Sequence, residues 1–169
     1  GLNKRTKLFF QVLIGLLVAL FLYWNPDNTR ALEFPFFKNI VIDLGIFYIP
    51  FVILVITACS NAVNITDGLD GLAIGTIIMT AVTYTGMSYV TGHVKFAEYL
   101  GIYYLPEAAE LTVFCASIIG AGLGFLWYNS YPATIFMGDT GALALGGAIG
   151  TVAVFIKKEM LLFLVGGIF

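Results

Sequence analysis

Charge is what this sequence has least of. Only 11% of its 169 residues are Asp, Glu, Lys or Arg, against about 25% in an ordinary soluble domain. The polar surface needed to cover a water-exposed globule is therefore missing, while 60% of the residues are hydrophobic and the mean hydropathy is +0.96. Histidine occurs once, at His93, and cysteine twice, at Cys59 and Cys115. They supply no Cys/His set for zinc. Neither Cys belongs to a CxxC pair, and both lie inside apolar runs, where they read as packing residues. The eight Lys and Arg are scattered, and the net charge is -2. That leaves no basic footprint for nucleic acid.

What is present comes as long apolar runs. A membrane span needs about 20 predominantly apolar residues, and the run lengths predict an all-α, polytopic transmembrane helix bundle forming a single unit over residues 1–169. The expected spans are 8–24, 44–63, 72–90, 111–128 and 142–156, with part of a sixth at 160–169. Because that last run is short of a full span, the chain is expected to be a piece of a longer polypeptide. The connector Asn25–Asp43, with Pro26 and Pro35, reads as an exposed loop. The aromatic connector Thr91–Glu110 has room for a short surface helix.

The other two connectors, 61–71 and 129–141, are compact and rich in Asn, Asp, Gly and Thr. If every span crosses, both share one membrane face with the Lys4-Arg5-Lys7 cluster. His93 then falls on the other face and reads as an ordinary loop residue. Arg30, Lys38, Lys95, Lys157 and Lys158 also fall on that opposite face, so the positive-inside rule does not orient the chain.

The first acidic loop reads Asn61-Ala-Val-Asn64-Ile-Thr-Asp67-Gly68-Leu69-Asp70-Gly71. Asp67 and Asp70 are three apart before a helix-forming run, a spacing that puts two side chains on one helix face. The plainer alternative is that one of them caps the helix that follows. The second loop ends in Phe136-Met-Gly138-Asp139-Thr140-Gly141. Asp139 invites the same capping explanation, and Phe136 is either an interfacial anchor or a stacking platform for a base. Taken together, three Asp with neighbouring Asn and Gly form an oxygen-rich site of the kind hard cations such as Mg²⁺ favour. The spacing does not match an EF-hand.

Lys4, Arg5 and Lys7 read as headgroup anchors, with a phosphate contact as the sharper alternative. The pairs Gly71/Gly75, Gly120/Gly124 and Gly146/Gly150 have the spacing of close helix packing. A carrier or channel would place carboxylates near mid-span, where this chain has essentially none. A purely structural subunit leaves the Asn and Gly density of the two loops unexplained.

The two motifs, Asn61-Ala-Val-Asn-Ile-Thr-Asp-Gly-Leu-Asp-Gly-Leu-Ala and Phe136-Met-Gly-Asp-Thr-Gly-Ala-Leu-Ala-Leu-Gly-Gly, resemble the central signatures of the phospho-N-acetylmuramoyl-pentapeptide transferases. That family lies within the polyprenyl-phosphate N-acetylhexosamine-1-phosphate transferases. The resemblance implies that the chain is the middle half of a ten-span enzyme of the bacterial inner membrane. Such an enzyme moves phospho-MurNAc-pentapeptide from UDP-MurNAc-pentapeptide to undecaprenyl phosphate, giving lipid I and UMP, with Mg²⁺ as cofactor. Loops 61–71 and 129–141 would face the cytoplasm, and the resemblance leaves room for a homodimer.

By the same resemblance Asp139 would bind the magnesium and Asp67 would be catalytic. Asn64 and Asn129 would bond diphosphate or metal-bound water. Asp70 and the Gly68–Leu69 backbone would hold uridine, Phe136 would stack on uracil, and Lys7 would face the phosphates. The family's Asp-Asp and paired-His motifs are not within these residues, so the chain alone is expected to be inactive. A sister transferase using UDP-N-acetylglucosamine is the nearest alternative. Thr66 and the long run Gly138–Gly147 favour the muramoyl family.

Overall fold

A computed structural model describes residues 3–25, 31–33 and 41–169. Pro26, Arg30, Pro35 and Lys38 of the first connector lie outside the described residues. In chain order the elements are α1 (Lys4–Trp24), β1 (Ala31–Glu33), β2 (Val41–Asp43), and a 3-10 turn (Gly45–Phe47) running into α2 (Tyr48–Thr66). Then come α3 (Leu72–Thr91), α4 (Val94–Leu100), α5 (Ala108–Asn129), α6 (Gly138–Phe155) and α7 (Glu159–Val165), closed by a second 3-10 turn, Gly166–Ile168. Helices α1, α2 with its leading turn, α3, α5 and α6 are long and apolar enough to cross a membrane. The class is an all-α membrane bundle. A small antiparallel pair β1–β2, Leu32 opposite Ile42, forms in a connector expected to be loop throughout.

Helix ends differ from the apolar runs in a way that matters for the site. Helix α1 begins at Lys4, so Lys7 is inside its second turn. Lys and Arg are good helix formers, and their long stems let the charge reach the interface from a helical backbone. Helix α2 continues through Asn61, Asn64 and Thr66, because two of these side chains bond back to their own helix. Asn61 Nδ2 donates to the Thr57 carbonyl at 2.8 Å and Thr66 Oγ1 to the Ala62 carbonyl at 2.9 Å. Helix α6 starts at Gly138, which puts Asp139 in its first turn. The polar residues of the two loops are thus mostly on helix ends.

Helix α2 is central, packed on α1 and on α6, while α3 packs on α5. Gly146 makes the α2–α6 contact: a Cβ there would lie 2.7 Å from the Cys59 carbonyl oxygen and 2.8 Å from Ser60 Cα. Backbone meets backbone at that point. Of the three expected glycine pairs, only Gly146/Gly150 works this way. Gly75, Gly120 and Gly124 meet nothing within 4 Å among the described residues, and it is Gly122 that α5 turns toward Ile78 on α3. Both cysteines are free and buried in the core. The outer faces of α1 and α5 expose Phe9, Leu17, Phe21, Val113, Leu123 and Trp127. That is surface suited to lipid, since water-facing apolar patches of such extent are rare.

The end of the bundle that carries His93 holds a buried polar cluster where the sequence showed only loop charges. Lys157 is 1% exposed and Glu159 0%. Lys157 Nζ donates to the Tyr48 hydroxyl at 2.6 Å, and that hydroxyl donates to Glu159 Oε1 at 2.8 Å. Tyr84 donates to the Lys158 carbonyl at 3.1 Å. Lys157 takes a left-handed φ of 58° at the break between α6 and α7, which lets it fold inward. His93 sits at the start of α4, its ring 4.8 Å from that of Phe96. It is separated from the acidic loops by the length of α3, roughly 30 Å for 20 residues.

Candidate active site at one end of the bundle

Helix α2 stops at Thr66, and residues 67–71 make a tight turn into α3. The turn is held by Gly68 N–H donating to the Thr66 carbonyl at 2.8 Å and Leu72 N–H to the Leu69 carbonyl at 3.1 Å. The N-cap of α3 is Gly71, with φ 75° and no side-chain cap bond. That left-handed conformation is cheap only for glycine. So neither Asp67 nor Asp70 caps α3, and the two do not share a helix face as their spacing suggested, because both fall in the turn.

The two loops are stitched together. Asp70 Oδ2 accepts the Ala133 N–H at 3.0 Å. Asn129, 4% exposed, accepts the Gly71 N–H at 3.1 Å on Oδ1 and donates from Nδ2 to the Ile135 carbonyl at 2.8 Å. Both ends of its amide are engaged by loop backbone, so its geometry is that of a staple. Gly68, Leu69 and Phe136 stand exposed on the rim, Phe136 at 72%.

Gly138 has φ 66°, and through it the chain enters α6 with Asp139 in the first turn. The N-cap position is Met137, with no side-chain cap bond, so Asp139 is not a cap. Its carboxylate pairs with the Lys7 ammonium from α1. The side-chain amide of Asn64, on α2, also faces it. Asn64 Oδ1 is buried without a hydrogen-bond partner among the described residues. Burial pushes the Asp67 carboxyl above the usual carboxylate range; the Gly138 N–H works against this, and the negative charge of Asp139 adds to it. The two carboxylates are therefore close enough to feel each other. Lys7, Asn64, Asp67 and Asp139 converge from three helices on one spot.

That spot fits a hard cation. Its donors are all oxygen: two like-charged carboxylates that a cation would relieve, and a buried amide oxygen that lacks a partner. Among the described residues no three His, Cys, Asp or Glu cluster tightly enough to cage a metal. Mg²⁺ commonly takes only one or two carboxylates and completes its shell with phosphate oxygens and water.

One helical turn below lies a group that spacing arguments passed over. Gln11 Nε2 donates to Ser60 Oγ at 3.0 Å, Ser60 Oγ donates to the Leu143 carbonyl at 2.8 Å, and Asn61 Nδ2 donates to Gln11 Oε1 at 3.2 Å. The available signal was Gln11 itself, the one amide in an otherwise apolar run. Beside this group opens a cavity of about 520 Å³, bounded by Lys7, Asp139 and Thr140 at its polar end and by Phe10, Ile14 and Gly147 farther in.

Fold and site together define a multi-pass membrane protein with Lys7, Asn64, Asp67 and Asp139 gathered at one end of a helix bundle. Residues 1–157 match glycosyl transferase family 4, and the chain belongs to that family. Among its relatives are proteins called phospho-N-acetylmuramoyl-pentapeptide-transferase from Citrifermentans bemidjiense, 55% identical over 169 residues, and Thermodesulfovibrio yellowstonii, 56% identical over 171. One of the same name from Desulfovibrio desulfuricans is 48% identical over 169 residues. Each match covers 100% of this chain and 47% of the relative. The chain thus spans about half the length of the curated relatives it matches, and the likeness first read in two motifs extends along all of it.

Proposed function

We propose that this chain is the central membrane part of an enzyme that transfers phospho-MurNAc-pentapeptide from UDP-MurNAc-pentapeptide to undecaprenyl phosphate, releasing UMP and leaving lipid I. The observation that carries the reading is the convergence of Asp67, Asp139, Asn64 and Lys7 at one end of the bundle, in a chain 55% identical to a relative of that name. An oxygen of the acceptor phosphate attacks the sugar-linked phosphorus of the donor, and the bond from that phosphorus to the bridging oxygen breaks, with UMP leaving. Such a reaction needs in-line positioning and neutralised charge more than covalent help from the protein.

Asp139, Asp67 and Asn64 Oδ1 would hold Mg²⁺, which supplies that neutralisation at the diphosphate when bound. The Lys7 ammonium, already beside Asp139, would turn to a phosphate oxygen. Asp67 would fix metal and phosphate geometry or accept a proton from the acceptor phosphate. Asp70 and the Gly68–Leu69 backbone would form the uridine rim, where the exposed ring of Phe136 offers a face to uracil. Asn129 would keep that rim assembled by stapling the two loops. The cavity, with Lys7 and Asp139 at one end and a mostly apolar lining beyond, suits an acceptor with a phosphate head and a prenyl tail. A nucleotide-sugar donor is cytosolic, so this end of the bundle would face the cytoplasm at the bacterial inner membrane.

The test is UMP release by the complete polypeptide carrying this chain, in detergent with undecaprenyl phosphate and Mg²⁺. UDP-MurNAc-pentapeptide and UDP-N-acetylglucosamine are offered in parallel, with Asp139→Asn as control. Release from the muramoyl donor, lost in Asp139→Asn, is the expected result. Release from UDP-N-acetylglucosamine alone would move the assignment to the sister transferases, and no release from either donor would end it.

A further inference from the structure

The same three helices that deliver Lys7, Asn64 and Asp139 are tied to one another one turn deeper. Gln11 is four residues after Lys7 on α1, Ser60 four before Asn64 on α2, and Leu143 four after Asp139 on α6. Four residues is about one helical turn, so each member of the tie sits on the same face as one site residue. The links are Gln11 Nε2 to Ser60 Oγ at 3.0 Å, Ser60 Oγ to the Leu143 carbonyl at 2.8 Å, and Asn61 Nδ2 to Gln11 Oε1 at 3.2 Å.

Ser60 sends its hydroxyl to another helix, as three threonines of α3 and one of α6 do not. Thr76, Thr80, Thr85 and Thr151 bond back to carbonyls of their own helix, the usual way of hiding a hydroxyl in an apolar setting. Ser60, 3% exposed, instead donates across to α6 while accepting from α1. It does so where Gly146 brings the α2 and α6 backbones into contact. The junction therefore fixes both the depth and the rotation of α1 and α6 against α2. Those two parameters determine how Lys7, Asn64 and Asp139 meet.

We infer that Gln11 and Ser60 are positioning residues for the cation and phosphate site, setting the separation of Lys7, Asn64 and Asp139 through a side-chain tie across three helices. The inference rests on the proposed function, in that it takes those three residues to be the ones that hold cation and phosphate. Partners that orient metal ligands from behind typically change affinity by about 10–100-fold when removed, and a tie one turn away belongs at the lower end of that range.

The test uses the complete polypeptide in detergent and reads Mn²⁺ affinity by electron paramagnetic resonance, UMP release, and the thermal unfolding midpoint. The variants are Gln11→Met, which keeps length and apolar volume but deletes the bonds, Ser60→Ala, and the two combined. The expected result is an about tenfold weaker Mn²⁺ affinity in each single variant with the unfolding midpoint unmoved. The combined variant should be no weaker than the worse single one, because the second change cuts a link already broken. Mn²⁺ affinity within twofold of the parent in both single variants would overturn the tie. So would losses that add in the combined variant or follow the unfolding midpoint. If the parent releases UMP and binds Mn²⁺ while the variants match it, the tie alone fails. A parent that does neither brings down the proposed function, and the tie with it.

Discussion

The two ends of the α2–α6 pair hold the same ingredients, a lysine and a carboxylate, in opposite circumstances. At the α7 end Lys157 and Glu159 are sealed, at 1% and 0% exposure, with the Tyr48 hydroxyl wedged between them. At the loop end the Lys7 and Asp139 side chains are 28% and 58% exposed, beside an amide oxygen without a partner. The sealed pair also has an unbonded oxygen among the described residues, Glu159 Oε2, but it is closed off from solvent and its role is to hold helices together. A pair open to the medium, with donors still unsatisfied, has capacity for a cation or a phosphate. The first is an internal tie between α2 and the α6–α7 elbow, and the second has the makings of a site.

The sharpest way to break the comparison is to neutralise one carboxylate at each end. Asp139→Asn is expected to lower UMP release by roughly 10³-fold or more, several kcal/mol of transition-state stabilisation of the kind a Lewis-acidic metal supplies. Its unfolding midpoint in detergent should barely move, because a solvent-exposed ion pair contributes little to stability. Glu159→Ala should do the reverse. Removing one partner of a buried, hydrogen-bonded charged cluster costs about 3–5 kcal/mol, visible as a large fall in unfolding stability, with Mn²⁺ affinity retained in whatever fraction stays folded. If Glu159→Ala unfolds no more readily than Asp139→Asn, the distinction between the two ends is wrong.

A smaller effect separates the glycines that lie between the two ends. Gly146→Ala drives a methyl to 2.7 Å from the Cys59 carbonyl, where backbone has to give. Overpacking of this kind costs about 1–3 kcal/mol and should shift both unfolding and activity. Gly75→Ala meets nothing within 4 Å among the described residues and replaces the poorest ordinary helix former with the best, a gain of up to about 1 kcal/mol. Thermal unfolding of the two variants side by side should give shifts of opposite sign.

These contrasts show what could be read from the residues and what could not. The membrane class was legible because spans announce themselves by unbroken apolar length. Counting crossings made it legible that the Lys4-Arg5-Lys7 cluster and loops 61–71 and 129–141 share one face, while the choice of Lys7, Asn64, Asp67 and Asp139 among their residues came from the resemblance. Helix ends were not. Asn61 and Thr66 look like loop residues, but by bonding their own backbone they let α2 run on, and Gly71 and Met137 occupy the cap positions that an aspartate seemed to claim. The Lys157–Glu159 cluster was invisible for a different reason. Charge between two apolar runs reads as surface, and only the inward turn at Lys157 reveals that it is core. Gln11 and Ser60 escaped because a tie between helices has no spacing along one chain segment.

The smallest expected effect concerns Asp67, and its sign decides whether the loop end is open by design. Burial and the nearby Asp139 charge raise its carboxyl, against the Gly138 N–H. A carboxyl whose value is higher folded than unfolded favours the folded state at low pH, and that contribution is lost as pH climbs from the unfolded Asp value, about 3.9, through the folded one. At neutral pH and without divalent cation, ionised Asp67 is therefore a small burden on the fold. Asp67→Asn should unfold at a slightly higher temperature than the parent at pH 7, and the difference should shrink toward pH 4. Adding Mg²⁺ should reverse the order, because a ligand bound only by the folded parent stabilises it by mass action and the neutral variant binds it more weakly. If Asp67→Asn is the less stable protein at pH 7 without cation, the carboxylate is already satisfied by its neighbours. The donor set would then lose the repulsion that makes it receptive to a cation.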